Sequence, residues 1–348
     1  MLMHVPLRLP HQAVAGSGFA PPRHILQRYT KKDQRQNGEI MTNLWASLAN
    51  SGVFLAVMAG AYLLKRLGLF KREDAKLLSK IIMNITLPAA IIKGFAGVKF
   101  SGVLLLTFLF SCCVSASLLG TAALLSRGKA PVERGTTILN TNTFNCGNFA
   151  IPLLTPLVSA DAFAALCMFD VGAALFTYGP NTALAHHAMG DEEGKTTPGA
   201  IVKHLLCAPV MAVYLALIAL SLLHWALPEP VMRVAVMAGN ANSFLAMLCI
   251  GILFEVRFPK EGRATVLRVL GGRCAVCAAA ALIVWFLLPV PREIARALVV
   301  LLFAPVANCA AMITVENGCD GTVAAVINSV SMILSAILMT LLLAVLPA

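Results

Sequence analysis

The chain has 348 residues, of which 59% are hydrophobic and only 12% are charged, and its mean hydropathy is +0.82. A water-soluble protein of this size needs many more charged residues to cover its surface, so the composition excludes a soluble domain. The net charge of +11 does not indicate nucleic-acid binding, because most Lys and Arg residues lie between apolar stretches, where membrane topology accounts for them.

The first forty residues differ in composition from the rest of the chain. Residues 1–40 contain several Pro, Arg and Lys and no long apolar run. Such a composition is typical of a disordered segment, and it lacks the apolar region of a signal peptide. We therefore interpret residues 1–40 as a disordered basic extension, and Met41, directly before the first apolar stretch, as a candidate natural start.

Ten apolar stretches follow this extension. Each is about 20 residues long, which is enough to cross ~30 Å of hydrocarbon as a helix. The stretches are residues 44–64, 76–97, 102–125, 136–158, 160–185, 204–225, 231–254, 267–289, 295–315 and 321–346. The sequence therefore predicts an all-α polytopic membrane protein with ten transmembrane helices.

Lys and Arg are concentrated in the loops after the odd-numbered spans, for example at Lys65, Arg127 and Lys260. Cytoplasmic loops are enriched in these residues, so we predict that these loops are cytoplasmic and that both ends of the ten-span core are external. The expected location is the plasma membrane, the inner membrane of a bacterium. The basic extension contradicts this orientation, which is a second reason to treat it separately.

A hydrophilic loop, residues 190–203, divides the core into halves of five spans, residues 41–189 and 204–348. An odd number of spans in each half places the halves in opposite orientations, as in transporters built from two inverted repeats. We therefore predict two inverted five-helix repeats joined by a cytoplasmic linker.

Span 4 and its counterpart, span 9, both contain residues that interrupt helices. Span 4 contains NTNTFNCGNFAIPLLTP (140–156), and span 9 contains FAPVANCAAM (303–312). Irregular backbone at membrane depth persists only where it is buried in protein or lines a cavity. Asn is a favoured helix cap and Pro suits a first turn, so we interpret Asn148 to Pro152 as the start of a second half-helix. A proline kink with asparagines that join helices is the alternative.

The segment from Asn145 to Pro152 resembles the N-x-G-x-x-G-x-P motif of the auxin efflux carrier family, with Ala150 in place of the second glycine. The family includes bacterial malonate-type permeases. The stretches LPAAIIKGFA, NSFLAMLCIGILF and APVANCAAMITVENGCDGTVAAVINSVSMILS are also similar to it, so the resemblance covers about residues 44–348.

This resemblance implies a scaffold domain made of spans 1, 2, 6 and 7 and a transport domain made of spans 3–5 and 8–10. The broken spans 4 and 9 would cross at the substrate site, and transport would proceed by elevator-type alternation. Bile acid:sodium symporters share this fold, so the fold alone does not identify the coupling ion.

The crossing is the predicted binding site for a small organic anion. Inverted halves bring two half-helix N-termini together, and each carries about half a positive charge. The candidate substrate-binding residues are Asn145, Gly147, Asn148, Pro152, Pro305 and Asn308. No Lys or Arg lies within either interrupted stretch, so amides and backbone N–H groups would hold the anion.

Asp170 lies near the middle of span 5 and is the candidate coupling residue. An ionisable side chain at membrane depth is costly and by default indicates function, here as a proton carrier, a cation ligand or an organiser of the site. An aspartate hydrogen-bonded to a neighbouring helix is the alternative.

These residues predict a secondary transporter of a mono- or dicarboxylate, with H⁺ or Na⁺ as the coupling ion and with membrane lipids as its surroundings. A sodium-coupled symporter of the bile-acid type and an intramembrane enzyme are the rival interpretations, and whether the protein is a homodimer is left open. We predict no catalytic residue, cofactor or metal site. Cys274 and Cys277 have no second pair nearby, and GDEEGKT (190–196) is one residue short of a P-loop.

Overall fold

The computed structural model describes residues 52–53, 56–71, 73–95, 98, 101–190, 209–223, 225, 227–254 and 262–346. Within these ranges the chain is helical and contains no strand. The extension at 1–40, Met41, the linker from residue 191 to 203 and much of the first predicted span lie outside the described residues.

Twelve helices are present in the described part of the chain, and their bounds follow the predicted spans. They are α1 (residues 56–66), α2 (Asp74–Gly94), α3 (Gly102–Leu125), α4 (Pro131–Thr141), α5 (Cys146–Leu157), α6 (Ala160–Met189), α7 (Pro209–Leu222), α8 (Glu229–Leu253), α9 (Arg263–Phe286), α10 (Arg292–Leu302), α11 (Asn308–Glu316) and α12 (Gly321–Val345). Six of them, α2, α3, α6, α8, α9 and α12, are long and apolar enough to cross a membrane.

Both predicted interruptions are present. The fourth predicted span is divided into α4 and α5 by residues 142–145, which we call the first interruption. The ninth is divided into α10 and α11 by residues 303–307, the second interruption. The two N-terminal halves, α4 and α10, are each 11 residues long. The two broken spans therefore have N-terminal half-helices of matching length.

The half-helices begin where the sequence favours a helix start. Pro131 occupies the first position of α4, and Pro291 directly precedes α10, where a fixed φ suits the helix and a missing N–H costs nothing. Glu133 and Glu293 lie in the first turns, where a carboxylate faces the positive end of the helix dipole. The start of each broken span is thus determined locally.

The start predicted for the second half-helix is wrong by two residues. α5 begins at Cys146 and not at Asn148, and Asn145 takes the cap position without a side-chain hydrogen bond. Its first turn is a wide π-turn, in which the Ile151 N–H donates to the Cys146 carbonyl. A π-turn is a common response to strain inside a helix, and here it directly precedes the proline at 152.

The helices form two sets of neighbours. α2 packs against α7 and α8, while α3 packs against α6 and α9, and α9 also packs against α10 and α12. Glycines allow the closest approaches: a Cβ at Gly239 of α8 would lie 2.9 Å from the Ala90 backbone of α2. In a membrane such close packing, and not apolar burial, holds helices together.

The largest apolar cluster lies around the broken spans. It includes Phe149 and Leu154 of α5, Leu166 and Phe169 of α6, and Leu298 of α10. These side chains surround the two interruptions with well-packed apolar atoms. The polar backbone of the interruptions must therefore find its hydrogen-bond partners within the protein.

Candidate substrate-binding site

The two interruptions contact each other directly. The backbone N–H of Asn145 donates to the carbonyl of Pro305 over 2.8 Å. Asn142 is 1% exposed and Asn145 is 4% exposed, so this irregular backbone is enclosed by protein. That is the condition under which a broken helix persists at membrane depth.

The N-terminus of α5 presents backbone donors. The Ala150 N–H donates to the Asn145 carbonyl over 3.1 Å, so the N–H groups between these residues have no helical acceptor. Gly147 lies in this turn because Leu87 of α2 approaches it closely: a Cβ at position 147 would lie 2.7 Å from the Leu87 side chain. Glycine therefore lets the donor-rich turn lie directly against α2.

The second interruption is held by α12. The Val306 N–H donates to the Ser331 hydroxyl over 3.0 Å, and the Asn328 amide donates to the Val306 carbonyl over 3.0 Å. Asn328 Nδ2 also lies 3.3 Å from Asn308 Oδ1, to which it donates. Since the oxygen of the Asn308 amide is occupied in this way, its Nδ2 is left as the group that can bind a ligand.

A cavity of about 750 Å³ lies at the crossing. Its size is within the range of pockets that bind small molecules. Five of the predicted residues line it: Asn145, Gly147, Asn148, Asp170 and Asn308. Pro152 and Pro305 do not line it. Pro152 lies in α5 behind the lining, and Pro305 supplies the carbonyl that joins the two interruptions.

Several amide atoms of the lining have no partner in the described residues. These atoms are Nδ2 of Asn145, Oδ1 of Asn148 and Nδ2 of Asn308. A buried amide without a hydrogen bond costs free energy, so such atoms usually bind water or a ligand. The cavity therefore offers two unpaired amide donors, one from each broken span.

Asp170 lies in α6 and reaches the same cavity. The Tyr214 hydroxyl of α7 donates to its carboxylate over 3.2 Å. No Lys or Arg pairs with Asp170 in the part of the chain that the structure describes. Asp170 is thus bonded to α7 through an uncharged partner.

One end of the cavity is basic. Lys76 and Lys80 of α2 line it and are exposed to solvent. They are four residues apart and therefore lie on one face of the helix. An anion that approaches from this end meets two positive charges before it reaches the amides.

Arg273 of α9 lies at the opposite side of the crossing and is only 5% exposed. Its Nη1 donates to the carbonyls of Thr141, over 3.0 Å, and of Thr143, over 2.6 Å. Its Nη2 donates to the carbonyl of Ala304 over 2.8 Å. The guanidinium also lies over the Phe144 ring, 4.2 Å from its centroid. One side chain therefore binds both interruptions.

Comparison with known proteins gives the family of this chain. The profile of the family described as membrane transport protein matches residues 51–343. The chain belongs to the auxin efflux carrier family of membrane transport proteins. An uncharacterized transporter of Methanothermobacter thermautotrophicus is similar to it, with 24% identity over 279 residues, which are 77% of this chain and 87% of that protein. The resemblance seen at residues 145–152 is thus confirmed, and the protein is a multi-pass membrane protein.

Sequence analysis of this auxin efflux carrier family member missed three basic residues of the site. The spacing of Lys76 and Lys80 on one face of α2 was the available signal. For Arg273 the signal was its position inside an apolar span, since an ionisable residue at membrane depth indicates a specific partner. Two of its partners, Thr141 at the end of α4 and Thr143 in the first interruption, lie 132 and 130 residues away and cannot be inferred from local sequence.

Proposed function

We propose that this family member is a secondary active transporter of a small organic anion, a mono- or dicarboxylate, and that it works by elevator-type alternating access. The observation that carries this proposal is the cavity of about 750 Å³ at the crossing, with an unpaired amide donor from each broken span in its lining. A carboxylate has two oxygens that can accept from two donors at once.

Helix dipoles favour the same class of ligand. α5 and α11 both begin at the cavity, and each N-terminus contributes about half a positive charge together with free N–H groups. Two such ends balance about one negative charge. In a dicarboxylate, the second carboxylate would extend towards Lys76 and Lys80. Since dipoles and amides bind an anion less tightly than a fixed ion pair, the anion can also be released.

We propose that the chain contains ten spans arranged as two inverted five-helix repeats. The same number of positions separates Pro131 from Pro291, Glu133 from Glu293 and Asn148 from Asn308, so similar residues lie near the starts of corresponding half-helices. The two sets of helix neighbours support a scaffold domain with α2, α7 and α8 and a transport domain with α3–α6 and α9–α12.

The proposed orientation follows from the distribution of Lys and Arg. The loops after the odd-numbered spans are cytoplasmic, and both ends of the core are external, in the inner membrane of a bacterium. Lys76 and Lys80 adjoin the first of these loops, so the cavity opens towards the cytoplasm in this conformation. The alternating step then moves the crossing towards the outside.

Asp170 is proposed to carry the coupling proton. An ionised Asp170 would repel a substrate anion in the same cavity, whereas a protonated one would not, so a proton and an anion bind together. Its partner, the Tyr214 hydroxyl, is a single hydrogen-bond donor and does not form the oxygen cage that a metal cation prefers.

Transport into proteoliposomes tests this function. A panel of labelled mono- and dicarboxylates is offered under an imposed pH gradient, an imposed Na⁺ gradient or neither, with protein-free liposomes as the control. We expect accumulation of at least one carboxylate, driven by the pH gradient. Absence of any carboxylate flux above the protein-free control would contradict the proposal.

A further inference from the structure

We infer that Arg273 is a tethered cation that fills a cation site at the crossing, so that the protein binds no mobile Na⁺ there and transports without it. The statement about transport rests on the proposed function. The statement about cation binding rests on the fold alone and is tested separately below.

The groups around Arg273 are those that would bind a metal cation. In transporters with broken helices, carbonyls of unwound backbone and of half-helix C-termini coordinate Na⁺. Here such carbonyls belong to Thr141 and Thr143 at the end of α4 and to Ala304 after the end of α10. All three accept hydrogen bonds from the one guanidinium.

The charges at this side of the crossing balance without an added ion. The C-terminus of each half-helix carries about half a negative charge, so the ends of α4 and α10 together contribute about one. The guanidinium supplies one positive charge, and the Phe144 face adds a further favourable contact at 4.2 Å. Among the described residues no Asp or Glu pairs with Arg273, so the carbonyls are its counter-charge.

The two sides of the crossing therefore have opposite roles. The N-termini of α5 and α11 face the cavity and favour an anion, while the C-termini of α4 and α10 face Arg273. The guanidinium of Arg273 is planar, and its Nη1 and Nη2 donate hydrogen bonds to different interruptions. The two interruptions are thereby held in a fixed position relative to each other. Because it is covalently attached, its local concentration far exceeds that of any free cation.

Removal of the guanidinium leaves oxygens that can accept a small cation. Besides the three carbonyls, the first interruption carries Asn142 Oδ1 and Thr143 Oγ1, which are buried and make no hydrogen bond within the described residues. In a variant without Arg273, Na⁺ or a free alkylguanidinium can therefore occupy the site. Choline is too large to replace them.

The test is thermal melting of purified full-length protein in Na⁺, in choline and in choline with ethylguanidinium. Wild type should melt at the same temperature in all three. Arg273→Gln should melt about 10 °C lower in choline, because a buried charge that donates three hydrogen bonds is lost. Na⁺ or ethylguanidinium should each restore at least half of this loss in melting temperature. Arg273→Lys, which keeps the charge, should melt at a temperature between those of wild type and Arg273→Gln. Arg263→Gln, at an exposed position of the same helix, is the matched control and should melt like wild type in every medium.

Three results would overturn the inference. A saturable rise in the wild-type melting temperature with Na⁺ would reveal a mobile-cation site. Wild-type stability of Arg273→Gln in choline would show that the carbonyls need no cation. A loss of stability that neither cation restores would show that packing, and not charge, is what Arg273 supplies. None of these readouts needs a transported substrate, so they remain decisive even if the proposed function fails. If Arg273→Gln cannot be purified, the wild-type response to Na⁺ decides the matter.

Discussion

The two interruptions lie at matching positions in the chain, but their polar groups differ in their hydrogen-bond partners. The second interruption is held by α12, whose Ser331 and Asn328 bond to both backbone groups of Val306. Among the described residues, the one side chain of α6 that bonds to the first interruption is that of Thr177, which donates to the Asn142 carbonyl over 3.3 Å. The first interruption also contains four buried side-chain polar atoms that have no hydrogen-bond partner among the described residues, whereas the second interruption contains none. The first interruption is thus suited to recognition of a ligand, and the second is suited to support.

The two broken spans therefore do not contribute equally to the site. Asp170 and Cys146, at the start of α5, both line the cavity, and the wide π-turn presents its donors there. The second broken span contributes the amide of Asn308 and a fixed frame. Substitutions that compare the two should therefore give unequal effects, and the following predictions are arranged from the largest effect to the smallest.

Replacement of Asp170 by Asn should have the largest effect. The amide cannot lose or gain a proton, so accumulation driven by a pH gradient should fall to background while substrate exchange persists. Asp161→Asn, in the exposed first turn of the same helix, is the matched control and should accumulate substrate normally. Accumulation by Asp170→Asn with an unchanged pH dependence would show that Asp170 only packs.

Loss of a cavity amide should weaken substrate binding. A hydrogen bond to a charged group contributes about 1.5–3 kcal/mol, so Asn145→Ala, Asn148→Ala and Asn308→Ala should each lower affinity roughly 10- to 150-fold. The comparison predicts larger losses for the variants at the start of α5 than for Asn308→Ala. Affinity is measured by calorimetry on variants whose melting temperatures match wild type.

The control for these amides is Asn317→Ala, just beyond the end of α11. Its Nδ2 donates to the Ile313 carbonyl over 2.6 Å, and it does not line the cavity. Its affinity should equal that of wild type. Equal losses at Asn145 and Asn308 would remove the asymmetry, and no loss at either would place the anion elsewhere.

Removal of the support should have a smaller effect on affinity. Asn328→Ala deletes the donor that orients the Asn308 amide and the bond to the Val306 carbonyl. A typical hydrogen bond contributes about 0.5–1.5 kcal/mol net, so affinity should fall about 2- to 10-fold. Combined with Asn308→Ala it should cost little more, since Asn328 acts on affinity through Asn308. Additive losses in the double variant would give Asn328 a direct contact with the anion.

Neutralisation of the basic end of the cavity should have the smallest effect. Lys76 and Lys80 are exposed, so Lys76→Gln with Lys80→Gln should slow anion binding about threefold at low salt and not at high salt. Lys129→Gln, in the loop before α4, is the matched control. It removes one positive charge, as each of the two other substitutions does, but at a position away from the cavity. Salt-independent slowing, or an equal effect of Lys129→Gln, would mean that these lysines do not guide the anion.

The broken spans could be predicted from sequence because their signal is local. Pro and several Asn in an apolar stretch are incompatible with an uninterrupted helix, and the same feature at Pro305 marks the second break. The helix start at Asn148 was wrong because a capping preference of about 1 kcal/mol is easily outweighed by packing against α2. Leu87 of α2 lies directly against Gly147 and helps to position this turn.

The remainder of the site depends on long-range packing. Its contacts join residues that are far apart in the sequence. They are the bond between Asn145 and Pro305, the bond from Tyr214 to Asp170 and the hydrogen bonds of Arg273. Helix periodicity shows which residues share one face of a helix, but it does not show which helix packs against that face. For that reason the cavity residues of the broken spans were predicted, whereas the cation that holds the spans together was not.

The central claim is that the two broken spans bind the anion together. A bromine-labelled carboxylate chosen from those that are transported can be located in crystals by its anomalous scattering. The account predicts one peak within the cavity, with the carboxylate oxygens about 3 Å from Nδ2 of Asn145 and of Asn308. A peak outside the cavity, or one in contact with neither asparagine, would contradict it.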